Sequence, residues 1–166
     1  MSTYEPRFKG PRWQIRFGKA GFALTELQRA VQARLPYVLG VRPETEPREN
    51  EENLILLGTP EDHPRIREMR LPVPAAPQSY ALLRKGPLLV LAGRDEAGLI
   101  HAVEDFAWQR LPGVDTREAF DSMSDFSASE TPKVARRGVW TWGYVIHDYR
   151  GFLDRMARLR MNTLTI

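Results

Sequence analysis

The sequence contains no cysteine. That excludes a disulfide framework, a cysteine-based zinc site and a thiol nucleophile, and it fits a reducing compartment. No apolar run approaches the roughly 20 residues of a membrane span. The opening residues Met1-Ser2-Thr3-Tyr4-Glu5-Pro6-Arg7 offer no apolar core of a secretory signal. A cytoplasmic protein without membrane association is therefore expected. The acidic, proline-broken stretch 42–52 lacks the ligand spacing of a calcium loop, so no metal or cofactor is expected.

What is present is an ordinary globular composition, 42% hydrophobic and 27% charged, over 166 residues. That length allows one domain with a core plus part of another. The net charge of +3 is uneven. Residues 133–166 hold seven basic side chains (Lys133, Arg136, Arg137, Arg150, Arg155, Arg158, Arg160) against Asp148 and Asp154, which is +5, so residues 1–132 carry −2. No aromatic residues interleave with these bases as in a nucleic-acid surface, and the charge is read as the outer face of a helix. No nucleic-acid partner is expected.

Local patterns order the chain. Trp13 to Phe17 alternates as a half-buried strand, and Leu24, Leu27, Val31 and Leu35 recur at helical spacing until Pro36. Residues 42–52 read as a surface loop. Asn53-Leu54-Ile55-Leu56-Leu57-Gly58 is the unbroken apolar run of a strand covered on both faces. A short helix follows, through about Met69, and then an irregular stretch, 71–78. Tyr80–Arg84 and Leu88–Gly93 flank a glycine-containing turn as a hairpin. Asp95 is placed to cap a helix whose buried side is Leu99, Val103, Phe106 and Leu111. These elements predict an α+β, two-layer α/β sandwich over 1–113, with a polar linker at 114–132.

After the linker the pattern changes. Arg136 to Trp142 reads as a strand, Tyr149, Phe152, Met156 and Leu159 mark a helix, and Met161 to Ile166 reads as a second strand. Strand, helix, strand is a βαβ unit, which calls for further parallel strands beside it. Residues 133–166 are thus expected to be the start of a truncated (β/α) barrel.

The run Asp95-Glu96-Ala97-Gly98-Leu99-Ile100-His101-Ala102 after its strand resembles the small domain that precedes the barrel in family 20 glycoside hydrolases, the β-N-acetylhexosaminidases. Arg137-Gly138 and the stretch from Phe152 to Leu164 are similar to that family's first barrel strand, helix and second strand. The resemblance spans roughly residues 50–166. It implies a zincin-like front domain without a zinc motif, and a catalytic Asp-Glu pair on a later strand that this sequence does not contain. Trp142 and Val145 stand where the family pattern has Asp and Arg. The resemblance therefore implies a divergent relative acting on another sugar, or one similar to α-glucuronidases.

No catalytic residue is expected in the chain. Trp142, Tyr144, Trp140 and Arg150 crowd the end of the first barrel strand, where barrel sites are built. Aromatic rings stack on sugar C–H faces and arginine donates to hydroxyls, so these are the candidate substrate contacts. His147 and Asp148 adjoin them, with Asp148 placed to cap the helix. His63 and His101 read as structural, and the adjacent Glu104 and Asp105 cannot form an acid/base pair by themselves. The expected function is a non-catalytic accessory domain that supports a carbohydrate-processing barrel. The alternative is a stand-alone module binding carbohydrate or protein. Expected partners are carbohydrate, through the missing barrel, and further copies of the chain through exposed barrel strands.

Overall fold

The structure is a computed structural model, and it describes residues 13–32, 39–46, 52–143 and 145–166. Six strands form its main sheet: Trp13–Phe17 (β1), Leu39–Pro43 (β2), Asn53–Gly58 (β3), Tyr80–Lys85 (β4), Leu88–Gly93 (β5) and Phe126–Glu130 (β6). Their order is β2-β1-β3-β5-β4-β6. The first four in that order are parallel, and β4 runs antiparallel to both β5 and β6.

The run 53–58, read as a strand covered on both faces, is β3 in the middle of the sheet. Ile55, Leu56 and Leu57 of β3 are all buried although they alternate between faces. Burial on both faces accounts for the unbroken apolar run. On one face, Ile15, Ile55, Leu57, Leu89 and Leu91 pack under helices Gly21–Gln32 (α1) and Glu96–Asp105 (α3). On the other, Leu56, Val90 and Ala92 meet Ile66 of the short helix Pro64–Glu68 (α2), with Met69, Leu71 and Val73 beside it. The hairpin pairs as read, Leu82 opposite Leu91. Asp95 caps α3 by accepting from the Gly98 amide at 2.8 Å. A side chain at Gly98 would collide with the Ser79 carbonyl oxygen, so this glycine sets how closely α3 approaches the start of β4.

Three expectations are corrected. Arg42 and Pro43 do not begin a loop; they end the edge strand β2, where a proline is tolerated. The helix after Asp95 does not run evenly to Leu111: Phe106–Arg110 widens into a π-helical turn, and the Leu111 amide reaches back to the Phe106 carbonyl. The segment 114–132 is folded rather than a free linker. It contains helix Arg117–Asp121 (α4), capped by Thr116, and the strand β6. Phe120 of α4 is fully buried, edge-on to Trp13 at 5.0 Å and to Phe106 at 6.5 Å. β6 is an edge strand whose Phe126 and Ala128 pack inward while Ser127 and Ser129 face out, so its composition looks like loop. Pro36 lies outside the described residues.

A second sheet holds two strands, Gly138–Trp140 (β7) and Thr163–Thr165 (β8), joined by helix Tyr149–Arg158 (α5). They are parallel, with Val139 opposite Leu164. The βαβ unit is present as the pattern predicts.

Candidate functional site

The candidate sugar-facing side chains emerge where β7 ends. Trp140 and Trp142 are 58% and 74% exposed, and their rings stack on each other at 4.1 Å with 11° between planes. Trp142 is held in the left-handed region at φ 51°, followed by Gly143 at φ 75°. That region is rare for a bulky residue and here marks a tight turn. The Thr141 amide donates to the Thr165 carbonyl, which extends the β7–β8 ladder up to this turn. Arg150 is exposed on the first turn of α5, and His147 is exposed just before it. Asp148 caps α5 by accepting from the Gly151 amide at 2.9 Å, so its carboxylate is spent on the helix end. Tyr144 lies outside the described residues. Val145, Tyr149, Leu153 and Ile166 add to an exposed apolar surface on the same unit.

Beneath that rim a polar seam joins the unit to the main sheet. Glu26 of α1 is 1% exposed and accepts from Nε and Nη2 of Arg158, at 2.8 and 3.0 Å, and from Nε and Nη2 of Arg29, at 3.0 and 2.7 Å. Burial pushes its carboxyl upward, but the hydrogen bonds from Arg158 and Arg29 outweigh burial and hold it at about 2. Arg160 donates to Asp105 at 3.1 Å and to the Tyr80 hydroxyl at 3.2 Å, and Tyr80 in turn donates to Glu130. Glu104, buried and bonded to the Trp108 indole at 3.0 Å, is pushed up by burial, and nearby Glu26 adds to that push.

The hub of the seam is Gln78, at φ 64°. Its amide donates to Asp95, its carbonyl faces His101 Nδ1, and its side-chain oxygen accepts from Arg137 at 2.7 Å and from Asn162 at 3.2 Å. Arg137 also donates to the Arg160 and Val134 carbonyls, and Asn162 to the Ala135 carbonyl. A cleft of about 320 Å³ opens here between Tyr80, His101, Glu130, Lys133, Arg137 and Arg160.

None of these seam residues was a candidate from the sequence. Glu26 falls between the apolar positions of α1 with nothing in the sequence to mark it, and Gln78 sits in a proline-rich stretch with no period to place it. The one available signal was that Glu104 and Asp105 fall on a helix whose apolar residues occupy most of its surface. Two further clefts, of about 510 and 590 Å³, lie beside Lys19, Glu61 and Asp62 at the ends of β1 and β3. Among the described residues there is no group of three or more His, Asp or Glu arranged to hold a metal ion, and no helix long and apolar enough to cross a membrane.

No family model and no curated protein matches the sequence. Solved structures do match. The chain resembles a GH138 enzyme targeting pectin rhamnogalacturonan II at a TM-score of 0.56 and 18% identity, over 93% of this chain and 24% of that one. It resembles CpGH84D at 0.60 and 13%, over 93% and 27%. It resembles a β-N-acetylhexosaminidase from Bacteroides fragilis NCTC 9343 at 0.55 and 12%, over 93% and 28%. The fold is therefore glycoside-hydrolase-like, a mixed α/β arrangement with a six-stranded sheet and five helices. The chain spans about a quarter of the length of the structures it resembles.

Proposed function

We propose that this chain is a non-catalytic accessory unit, joined to the opening βαβ unit of a carbohydrate-processing barrel, in a glycoside-hydrolase-like enzyme. The observation that carries the reading is the pairing of two unlike parts. One is a six-stranded sheet with its core buried on both faces. The other is a two-stranded parallel β7–β8 sheet whose flanks leave Trp140, Trp142, Val145, Leu153 and Ile166 exposed. Parallel strands are found where both faces are covered. Further βα units would cover this one. The boundary falls after β6, so the accessory unit takes in residues 114–132. The zincin-like description and a divergent family 20 kinship belong to the same proposal, as does activity on a sugar other than an N-acetylhexosamine.

The stacked Trp140–Trp142 pair, with Tyr144 and Arg150, is the proposed sugar-facing rim: each ring keeps one face free for a pyranose C–H face. The same pair supports the second reading, a module that binds carbohydrate by itself. Self-association through the open β7–β8 edges is the remaining proposed contact.

Glycoside hydrolysis by the common routes needs two carboxyl groups flanking the bond. The buried Glu26 is occupied by arginines and Asp148 by a helix end, so the purified chain is expected to leave aryl glycosides intact. Turnover that a single Asp or Glu substitution abolishes would overturn the non-catalytic reading. Sequencing the gene beyond codon 166 separates the two readings. Further βα units with an acidic pair support the enzyme, and a stop codon supports the module.

A further inference from the structure

We propose that the seam between α3 and the β7–α5–β8 unit is a proton-sensitive latch, closed while the His101 ring is neutral and loosened when that ring takes a second proton. His101 is 5% exposed on α3 and faces Arg137, the residue that leads into β7. Its Nδ1 lies 3.1 Å from the Gln78 carbonyl oxygen, which can only accept, so Nδ1 carries the hydrogen. Nε2 is then the lone-pair nitrogen, and it faces the Arg137 guanidinium at 3.5 Å. Arg137 cannot swing away freely, because three of its other hydrogens are held by Gln78, Arg160 and Val134. A proton on Nε2 therefore sets an N–H against an N–H, with two positive charges, beside a ring that is itself almost fully buried.

The charges facing the ring do not relieve this. From its own helix come Asp95, already bonded to the Gln78 and Gly98 amides, and Asp105, bonded to Arg160. Tyr80 of β4 donates to Glu130 of β6, which occupies that carboxylate. Lys133, Arg137 and Arg160 complete the cleft and are all cationic. Burial lowers the affinity of the ring for a proton, the Gln78 carbonyl raises it, Arg137 and Arg160 lower it, and Asp95 raises it. The net direction is below the ordinary value of 6.5. A ring freed from the seam binds the proton more readily than a docked one. Docking is then fully supported above pH 6.5 and weakens as the pH falls below it. The unit that moves carries Trp140 and Trp142, so acid would change how the aromatic rim is presented.

Hydrogen exchange on the full chain, corrected for intrinsic rate, tests the latch. Between pH 7.5 and 5.0 the protection of amides 139–141 and 163–165 should fall several-fold, in the direction linkage requires of a ring that binds its proton less readily when docked. Protection at 55–57 and 89–91 should hold. In H101Q, whose amide can still donate to the Gln78 carbonyl, the fall should vanish, although the buried His63 and Glu104 are intact. A flat profile in the native protein, or an equal fall in H101Q, overturns the proposal. If H101Q does not fold, NMR titration of His101 in R137Q decides: removing the guanidinium should raise the histidine's midpoint, and an unchanged midpoint overturns the latch.

Discussion

Glu26 shows what a single residue can do against its own type. A carboxylate at 1% exposure survives because four guanidinium nitrogens from Arg29 and Arg158 satisfy it. The arginines are partly solvated, at 53% and 32% exposure, and can rehydrate if the partner is lost. Substitution E26Q should therefore cost about 1.5–3 kcal/mol at pH 7, the range for hydrogen bonds to charged groups, and not the larger penalty of a stranded buried charge. The carboxyl is held at about 2, below its ordinary 4.5. Its contribution is present above pH 4.5 and is lost as the pH falls toward 2. Urea titrations at pH 7 and pH 3 should show the gap between native and E26Q narrowing in acid. A gap that widens would mean the arginines do not stabilise the ionised form.

At the scale of elements, legibility followed periodicity. β3, the β4–β5 hairpin, α3 and the βαβ unit were readable because each carries a clear apolar run or spacing and is bounded by glycine, proline or a capping aspartate. β2 and β6 were not. Both are edge strands with one open side, so residues 40–43 and Phe126–Glu130 bury few side chains and carry residues that look like loop. The seam was illegible for a related reason: Gln78, Arg137 and Asn162 meet through long-range geometry that no local spacing encodes. The candidate rim was half legible. The sequence placed Trp140 and Trp142 at a strand end, but not their mutual stacking. Phe120 offers the test of whether α4 is integral. It fills the space between Trp13 and Phe106, and Asp121 next to it accepts from the Trp13 indole at 2.6 Å. F120A should cost about 3–5 kcal/mol in a denaturant titration, as for other buried phenylalanines. A cost under about 0.5 kcal/mol, the range of exposed substitutions, would show that residues 114–132 are the loose connector their composition suggests.

For the whole molecule, the two parts differ in what joins them to their surroundings. The accessory sheet is held by apolar clusters on both faces, which are insensitive to ionic strength. The β7–α5–β8 unit buries little of its own, Met156 at 6% exposure being its one buried large apolar side chain among the described residues, and it is tied down by arginine contacts to Glu26, Asp105, Gln78 and Tyr80. Screening reaches such contacts, because Arg158 and Arg160 are each about a third exposed and the Debye length shrinks from about 10 Å at 0.1 M to about 3 Å at 1 M salt. The unit should then open as a body before the sheet does. Raising sodium chloride from 0.1 to 1 M at pH 7.5 should speed exchange at 139–141 and 163–165 several-fold and leave 55–57 and 89–91 unchanged. The measurement belongs at a concentration where sedimentation shows a monomer, since pairing of the open strand edges between copies would protect the same amides. Uniform exchange across both sets at both salt concentrations would mean the two parts unfold together, and the seam would then be ordinary interior of a single cooperative unit.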